Sequence, residues 1–301
     1  LCTVLFFLFV LAVGIFVFFW KRKRLYQQAD KILLNYINGD YSCHIPQNYE
    51  GAIYQVFSSV EQLATMLQSK NETERKAKEF LKDTISDISH QLKTPLAALA
   101  MYQEIIESEP ENAETVKQFA AKMGISLKRM EQLILSMLKI TRLDTGNIIF
   151  EKKSCRVSEL IAHSVNELTA RAKNENKQIQ IDGDGEQKLI CDMEWTGEAI
   201  GNIVKNALDH TQVGGIVRIT WNRAPAMFQI FISDNGSGIA PEDIHHIFKR
   251  FYRSKHSIDT QGIGLGLPLA KSIIEGQGGV ISVQSESGKG TLFTLSFLTE
   301  L

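Results

Sequence analysis

The sequence predicts a multidomain chain with three parts: a transmembrane helix, an all-α two-helix hairpin that forms a dimeric four-helix bundle, and a C-terminal α/β two-layer sandwich. Three observations predict this fold class. The first 20 residues are almost entirely apolar, residues 76–142 repeat apolar side chains every three or four positions, and residues 154–301 alternate short strand-like and helical segments. The length of 301 residues leaves room for about two domains beside the span.

Residues 1–20 predict a membrane span. Eighteen of them are hydrophobic and none is charged, and a helix of that length crosses about 30 Å of hydrocarbon. The basic run 21–24 follows at once and predicts that residues 21–301 are cytoplasmic. A signal peptide fits poorly, because no basic region precedes the run and no small-residue cleavage site follows it. Since the chain begins with Leu1, we expect a piece of a longer protein that starts inside a span.

The charge balance restricts the possible partners. The chain has 33 basic and 34 acidic residues, a net charge of -1, so no basic excess is available to neutralise phosphates, and we expect no nucleic-acid partner. Its hydrophobic content of 44% argues against disorder.

Residues 21–75 predict a helix, a break and a second helix. The break is expected at residues 38–40 and at Pro46. This pattern, just inside a membrane, indicates either a signal-relay linker or a plain helical stalk.

Residues 76–142 predict two long amphipathic helices separated at residues 109–112. Two antiparallel helices cannot bury both apolar stripes, whereas two copies of the hairpin can. We therefore expect a homodimer through residues 76–142, followed by a linker over residues 143–153.

Residues 154–301 predict a two-layer sandwich of helices on a sheet. Ser158 is expected to cap its first helix, which ends near Asn174. The other expected helices are residues 192–210 and 265–277. The expected strands are residues 179–181, 188–191, 216–221, 228–233, 280–285 and 291–297.

The four cysteines, Cys2, Cys43, Cys155 and Cys191, form no CxxC motif. In a reducing cytoplasm they are expected to be free and mostly buried thiols, and the sequence assigns them no chemistry.

His90 is the first candidate for chemistry. It lies two residues from both Ile88 and Leu92, which places it away from the apolar stripe, and Thr94 shares its face. Pro95 interrupts the helix beside it. Alone, such a histidine is usually an ordinary surface residue, but a helix-breaking residue inside a strong helical pattern tends to mark function.

Glu198, Asn202, Asn206 and His210 recur every four residues and form one polar edge of a helix. The Glu198 carboxylate and the carboxamides of Asn202 and Asn206 offer oxygen atoms that suit a hydrated Mg²⁺ ion. The alternative is the solvated face of an ordinary amphipathic helix.

Two glycine clusters, residues 234–238 and 262–267, follow a strand and open a helix, respectively. The second offers backbone N–H groups to phosphate oxygens, although it is neither a Walker A loop nor a dinucleotide fingerprint. Asp234 could accept a hydrogen bond from an exocyclic amine such as that of adenine. Residues 248–253 between the clusters could anchor a loop or form a core-packing helix.

In this order, the segments resemble the motifs of bacterial two-component sensor histidine kinases. Residues 89–96 resemble the H box, 202–207 the N box, 234–239 the G1 box, 248–252 the F box and 262–267 the G2 box. The resemblance covers about residues 76–298, and residues 21–75 resemble a HAMP-type linker more loosely. It implies a HisKA dimerisation domain, a HATPase domain of the GHKL (Bergerat) fold and a place in the bacterial plasma membrane.

The resemblance also implies roles for individual residues. His90 would be the phosphoacceptor, and Thr94 would orient a water molecule that dephosphorylates a cognate response regulator. ATP and Mg²⁺ would be the cofactors, with Asn206 and Glu198 at the metal and Asp234 on the adenine amine. Residues 253–261 would cover the nucleotide. The implied nucleotide-binding residues are Asn202, Asn206, Asp234, Gly236, Gly238, Arg253, Gly262, Gly264, Leu265 and Gly266.

One position departs from the family pattern. The residue after the histidine is usually acidic, and here it is Gln91, whose carboxamide is not a useful general base. Either the kinase is active with Gln91 orienting the ring, or the protein is biased towards regulator phosphatase activity. A GHKL ATPase that is not a kinase is a further alternative. The run from His90 to Tyr102 also resembles sensors of the vancomycin-resistance type.

Overall fold

The computed structural model describes residues 2–37, 39–41, 52–146, 148–254 and 262–298. The chain divides into two compact units, Leu1–His90 and Gln91–Leu301.

Helix α1 (Cys2–Ile37) begins the chain. The predicted membrane helix and the first linker helix are one continuous helix, because nothing between Trp20 and Ile37 interrupts helical geometry. Its segment Thr3–Ile37 is long and apolar enough to cross a membrane, with a mean hydropathy of 2.7 and no buried residue in the apolar window. The predicted break follows, with Gly39 at φ +84°, whereas Pro46 lies outside the described residues.

Helix α2 (Ala52–Ser108) is 57 residues long and continues through residue 75 without a break. Near its start, Phe57 is buried together with Ala29 of α1. The side chains packed against these two are Leu25, Ile32, Tyr36 and Val60.

Helix α3 (Ala113–Asp144) follows a short turn, as predicted. Asn112 caps α3, since its side chain accepts a hydrogen bond from the Thr115 amide at 3.2 Å. Glu109 accepts from both Asn112, at 3.1 Å, and the Thr115 hydroxyl, at 2.9 Å. The Asn112 side chain thus satisfies the Thr115 amide, one of the free amides at the start of α3.

The C-terminal part is the predicted α/β sandwich. Its main sheet has the order β2-β4-β5-β7-β6, in which β2 and β4 are parallel and the other pairs antiparallel, and β1 pairs with β3 in a second, two-stranded sheet. The strands are β1 (Lys153–Arg156), β2 (Gln178–Asp182), β3 (Lys188–Cys191), β4 (Ile216–Arg223), β5 (Met227–Asp234), β6 (Val280–Glu286) and β7 (Gly290–Leu298). The helices are α4 (Val157–Asn174), α5 (Met193–His210), α6 (Pro241–Ile244) and α7 (Gly266–Gly276).

The core lies between the main sheet and the helices. Every second residue of β5 from Phe228 to Ile232 is buried, while α5 and α7 bury Ile203 and Ile273 without measurable exposure. This alternation is the period-2 pattern of a strand with one covered face, and it explains why the strands were recognisable from sequence.

Two short elements, β1 and α6, were not predicted, because four residues carry too little periodicity. The predicted cap at Ser158 is wrong. Arg156 occupies the cap position of α4, and the Ser158 hydroxyl instead donates to the Gly185 carbonyl at 2.9 Å.

Candidate functional site

Helix α5 carries the polar edge predicted from sequence. Asp192 caps the helix by accepting a hydrogen bond from the Trp195 amide at 3.2 Å. Glu198, Asn202, Asn206 and His210 are all partly exposed, whereas the opposite face of α5 is buried. The amphipathic packing of α5 therefore turns this edge away from the core.

Two adjoining cavities lie beside this edge, with volumes of about 370 Å³ and about 350 Å³. The second glycine cluster forms a wall of the first cavity, and the first cluster forms a wall of the second. Both cavities are lined by Asn206, Asp209, Ile247, Tyr252, Gly262, Gly264 and Leu267.

Most of the residues predicted to hold a nucleotide line these cavities. Asn206, Gly262 and Gly264 line both. Asn202, Leu265 and Gly266 line the first. Asp234, Gly238 and Arg253 line the second.

Glu198 and Gly236 do not line either cavity. The Glu198 carboxylate accepts a hydrogen bond from Lys139 of α3 at 2.5 Å. The Gly236 amide donates to Asp234 Oδ1 at 2.9 Å, and a Cβ at Gly236 would lie 2.3 Å from the His210 carbonyl oxygen. Gly236 thus positions Asp234 through a close backbone approach that only glycine allows.

Asp234 ends strand β5 at the wall of the second cavity. Burial raises the pKa of its carboxyl group, while the amides of Gly236 and Thr291 and the nearby His210 partly oppose that rise. A carboxylate in this setting can accept a hydrogen bond from an amino group entering the cavity.

The second glycine cluster leads into α7, whose first residues line the first cavity. Leu265 occupies the cap position without a side-chain cap, so the helix presents backbone N–H groups and its positive end to the cavity. This arrangement favours an anion such as phosphate.

The turn before α7 is shaped by two residues with positive φ, Phe251 at +60° and Gly264 at +77°. The Phe251 amide donates to the Gly264 carbonyl at 2.9 Å. A Cβ at Gly264 would lie 2.9 Å from the Phe251 backbone. Residues 248–253 and the second glycine cluster are therefore joined by a backbone hydrogen bond.

Asn202 and Asn206 fit a magnesium ion bound together with phosphates. Asn202 donates its Nδ2 to the Glu198 carbonyl at 2.9 Å, and its Oδ1 is 3.2 Å from the position of a Cβ at Gly266, near the start of α7. The described residues contain no group of three or more His, Cys, Asp or Glu side chains suited to a metal. An ion here would take most of its ligands from phosphate and water, as Mg²⁺ commonly does.

Several cavity residues were not singled out as nucleotide ligands. Tyr252, within the segment 248–253, lines both cavities, and its hydroxyl donates a hydrogen bond to Asp243. Lys205 and Asp209 lie near Asn206 on α5 and line the same cavity. Their closeness to Asn206 in the sequence could have identified them as cavity residues. Lys139 reaches the first cavity from α3, a position that sequence spacing could not reveal.

The histidine segment lies on helix α2. His90 and Thr94 are exposed, as expected, Gln91 is partly buried, and Pro95 lies inside the helix. Of the segment predicted to cover a nucleotide, residues 255–261 lie outside the described residues.

Two family models match the chain. Residues 80–146 match the His Kinase A (phospho-acceptor) domain, and residues 191–301 match the histidine kinase-, DNA gyrase B- and HSP90-like ATPase. In this order they define the class: the chain carries the phospho-acceptor and ATP-binding domains of a two-component sensor histidine kinase.

The chain is similar to curated sensor proteins over 217 residues, or 71% of its length. It is 30% identical to the sensor-like histidine kinase SenX3 of Mycobacterium tuberculosis and 30% identical to the sensor protein SrrB of Staphylococcus aureus. It spans 53% of SenX3 and 37% of SrrB, about half or less of these relatives.

Solved structures share the fold. The histidine kinase ThkA in complex with the response regulator TrrA matches with a TM-score of 0.62 at 21% identity, over 77% of this chain and 66% of that one. The Acinetobacter baumannii histidine kinase AdeS matches with a TM-score of 0.57 at 17% identity, over 69% and 97%.

Proposed function

We propose that the protein is a membrane sensor histidine kinase that phosphorylates His90 from ATP and passes the phosphoryl group to an aspartate of a response regulator. The observation that carries the proposal is the pair of adjoining cavities on an ATPase domain, in a chain whose phospho-acceptor domain exposes His90. The proposal assigns these two features to one reaction.

Each wall of the cavities has a role in binding ATP. Asp234 accepts a hydrogen bond from the adenine amine in the second cavity. The N-terminus of α7 binds the phosphates in the first, where Lys205 supplies positive charge, and Arg253 supplies it from the adjoining second cavity. Asn206, supported by Asn202, holds Mg²⁺, which neutralises charge on the phosphates.

Glu198 contributes indirectly in this proposal. Its carboxylate accepts a hydrogen bond from Lys139, and its backbone carbonyl accepts one from the Asn202 side chain. It therefore fixes the Asn202 amide that faces the start of α7, and any contact with the metal runs through water.

The reaction follows from the chemistry of imidazole. The neutral His90 ring attacks the γ-phosphorus of ATP in line, a phosphorus–nitrogen bond forms, the bond to the bridging oxygen breaks, and ADP leaves. Gln91 orients the ring, and water accepts the ring proton. The exposed position of His90 suits transfer to a second protein.

The proposed partners are a response regulator and a second copy of the chain. ThkA, which shares the fold, has been crystallised with a response regulator. Large apolar side chains remain exposed along α2 and α3, including Leu96 and Ile134. A homodimer through residues 76–142 would bury them as a four-helix bundle.

Membrane anchoring rests on helix α1. Its most apolar 18-residue window has no buried residue, and four basic residues follow the apolar run 1–20, which favours a span with residues 21–301 in the cytoplasm.

Labelling with γ-labelled ATP tests the kinase assignment. The wild-type chain is expected to acquire acid-labile, alkali-stable phosphate, and His90→Gln is expected to acquire none. Persistent label on His90→Gln would show that the phosphoacceptor is wrong. ATP hydrolysis without any phosphoprotein would favour an ATPase that is not a kinase.

Regulator phosphatase activity is the second proposed activity. Gln91 supports it, because a carboxamide is a poor base for the forward reaction, and Thr94 is exposed four residues from His90. The vancomycin-resistance resemblance stays a prediction, since neither SenX3 nor SrrB carries that description.

A further inference from the structure

Two cysteines that are distant in sequence meet on strands β1 and β3. These strands are antiparallel, with Cys155 opposite Leu189 and Cys191 opposite Lys153. Because side chains alternate along a strand, Cys155 and Cys191 lie on the same face as a diagonal pair. Their sulfur atoms are 3.4 Å apart. A disulfide bond needs about 2.05 Å, so the sulfurs must approach by about 1.4 Å, which a small side-chain rotation can supply.

The two thiols differ in exposure. Cys191 is buried, with 1% of its surface exposed, whereas Cys155 is half-buried. Both line a surface depression between β1 and the start of α5, so a small oxidant can reach Cys155.

The more exposed thiol, Cys155, is also the more acidic of the two. The hydrogen bond from Cys191 lowers the pKa of the Cys155 thiol, while that contact and burial raise the pKa of Cys191. The more exposed sulfur is therefore the better thiolate nucleophile, and the buried one keeps its proton.

We propose that Cys155 and Cys191 are an oxidation site that forms a reversible disulfide with hydrogen peroxide as oxidant. The Cys155 thiolate attacks peroxide, a sulfur–oxygen bond forms, the oxygen–oxygen bond breaks, and hydroxide leaves. The Cys191 sulfur then attacks the Cys155 sulfenic acid and releases a second hydroxide, which leaves as water with the Cys191 proton. The two sulfurs supply the two electrons that reduce one peroxide to two waters.

The disulfide would join elements that position the candidate site. It would enclose α4 and β2 in a covalent loop and fix the residue before Asp192, the cap of α5. Closing a loop of this length restricts the unfolded chain, so oxidation is expected to raise the Tm of the ATPase domain by about 5 °C or more.

Thiol counting on the full chain in detergent tests the proposal. In a background with Cys2→Ser and Cys43→Ser, peroxide is expected to remove both remaining thiols together, and dithiothreitol is expected to restore both together with the original Tm. With Cys191→Ser added, dimedone is expected to trap a sulfenic acid on Cys155. With Cys155→Ser added instead, Cys191 is expected to react at least tenfold more slowly.

A matched control moves the thiol by one residue. Ser154 pairs with Ile190, so its side chain lies on the opposite face of β1. Ser154→Cys combined with Cys155→Ser keeps two thiols on the same strands but is expected to form no intramolecular disulfide. Equal disulfide yields in this variant, or stepwise overoxidation of Cys155 with Cys191 present, would overturn the proposal.

Discussion

The side chain next to His90 determines where the ring proton goes in the proposed transfer. A carboxylate at position 91 could accept that proton, whereas the Gln91 carboxamide can accept or donate a hydrogen bond but does not take up the proton. Gln91 is partly buried on α2, whereas His90 is exposed. A substitution at position 91 therefore changes the group that could accept the ring proton and leaves the helix unchanged.

We expect Gln91→Glu to raise the rate of autophosphorylation by about tenfold or more, because a positioned general base replaces water. The initial rate of label incorporation from γ-labelled ATP measures this effect. Gln103→Glu, at an exposed position further along α2, is the matched control and should leave the rate unchanged. Equal rates for wild type and Gln91→Glu would remove Gln91 as a cause of weak kinase activity.

Asp234, the proposed acceptor of the adenine amine, is expected to lower the stability of the folded domain. Burial raises the pKa of its carboxyl group, which means that the folded state disfavours the ionised form at neutral pH. As the pH falls through this raised pKa, the carboxyl group takes up a proton and the cost disappears.

We therefore expect Asp234→Asn to raise Tm at pH 7 and to lose nucleotide binding, as measured by thermal denaturation and by a fluorescent ATP analogue. The gain in Tm should shrink as the pH falls through the raised pKa of Asp234. Asp182→Asn, at an exposed strand end, should change neither property. A gain in Tm that is independent of pH would contradict the proposed origin of the effect.

At the scale of elements, a buried network joins the ends of α5 and α7. Gln277 accepts from the Asp192 amide at 2.8 Å and donates to Thr196 at 3.0 Å, and all three residues are buried. The backbone carbonyl of Gln277 also accepts a hydrogen bond from Lys152 Nζ at 2.6 Å. Buried polar groups of this kind are costly when a partner is removed.

Gln277→Leu is expected to lower the free energy of unfolding of the ATPase domain by about 1–3 kcal/mol, because Asp192 and Thr196 lose buried hydrogen-bond partners. Urea denaturation followed by tryptophan fluorescence measures it. Gln284→Leu, exposed on β6, is the control and should change the free energy much less. Similar losses for both variants would show that the network adds little.

The long elements and the glycine clusters were predictable, since amphipathic periodicity and turn residues are local signals. The pairing of Lys139 with Glu198 was not, because α3 and α5 meet only through tertiary packing. The cysteine pair was missed for the same reason: its contact depends on the β1–β3 register, and β1 is only four residues long.

At the scale of the whole molecule, the exposed apolar faces of α2 and α3 indicate assembly. Leu96 is 59% exposed and Leu127 is 56% exposed, and side chains of this size are commonly covered when they line one helix face.

We expect Leu96→Asp to weaken the homodimer at least tenfold, since it places a charge in the expected bundle core. Analytical ultracentrifugation of the chain in detergent measures the dissociation. Asp87→Lys changes charge on the opposite face of α2 and should leave the dimer intact. A dimer unchanged by Leu96→Asp would place the interface elsewhere.

The bonds just before β1 have a practical consequence for dividing the chain. The Glu151 amide donates to Asp192 at 2.9 Å, and the Phe150 ring meets Trp195 edge to face. Phe150 and Glu151 thus contact the start of α5, although the sequence predicts that the ATP-binding domain begins at residue 154. A fragment meant for crystallisation or ligand screening should therefore begin near residue 148. One cut at residue 154 would expose the start of α5 to solvent and to proteases.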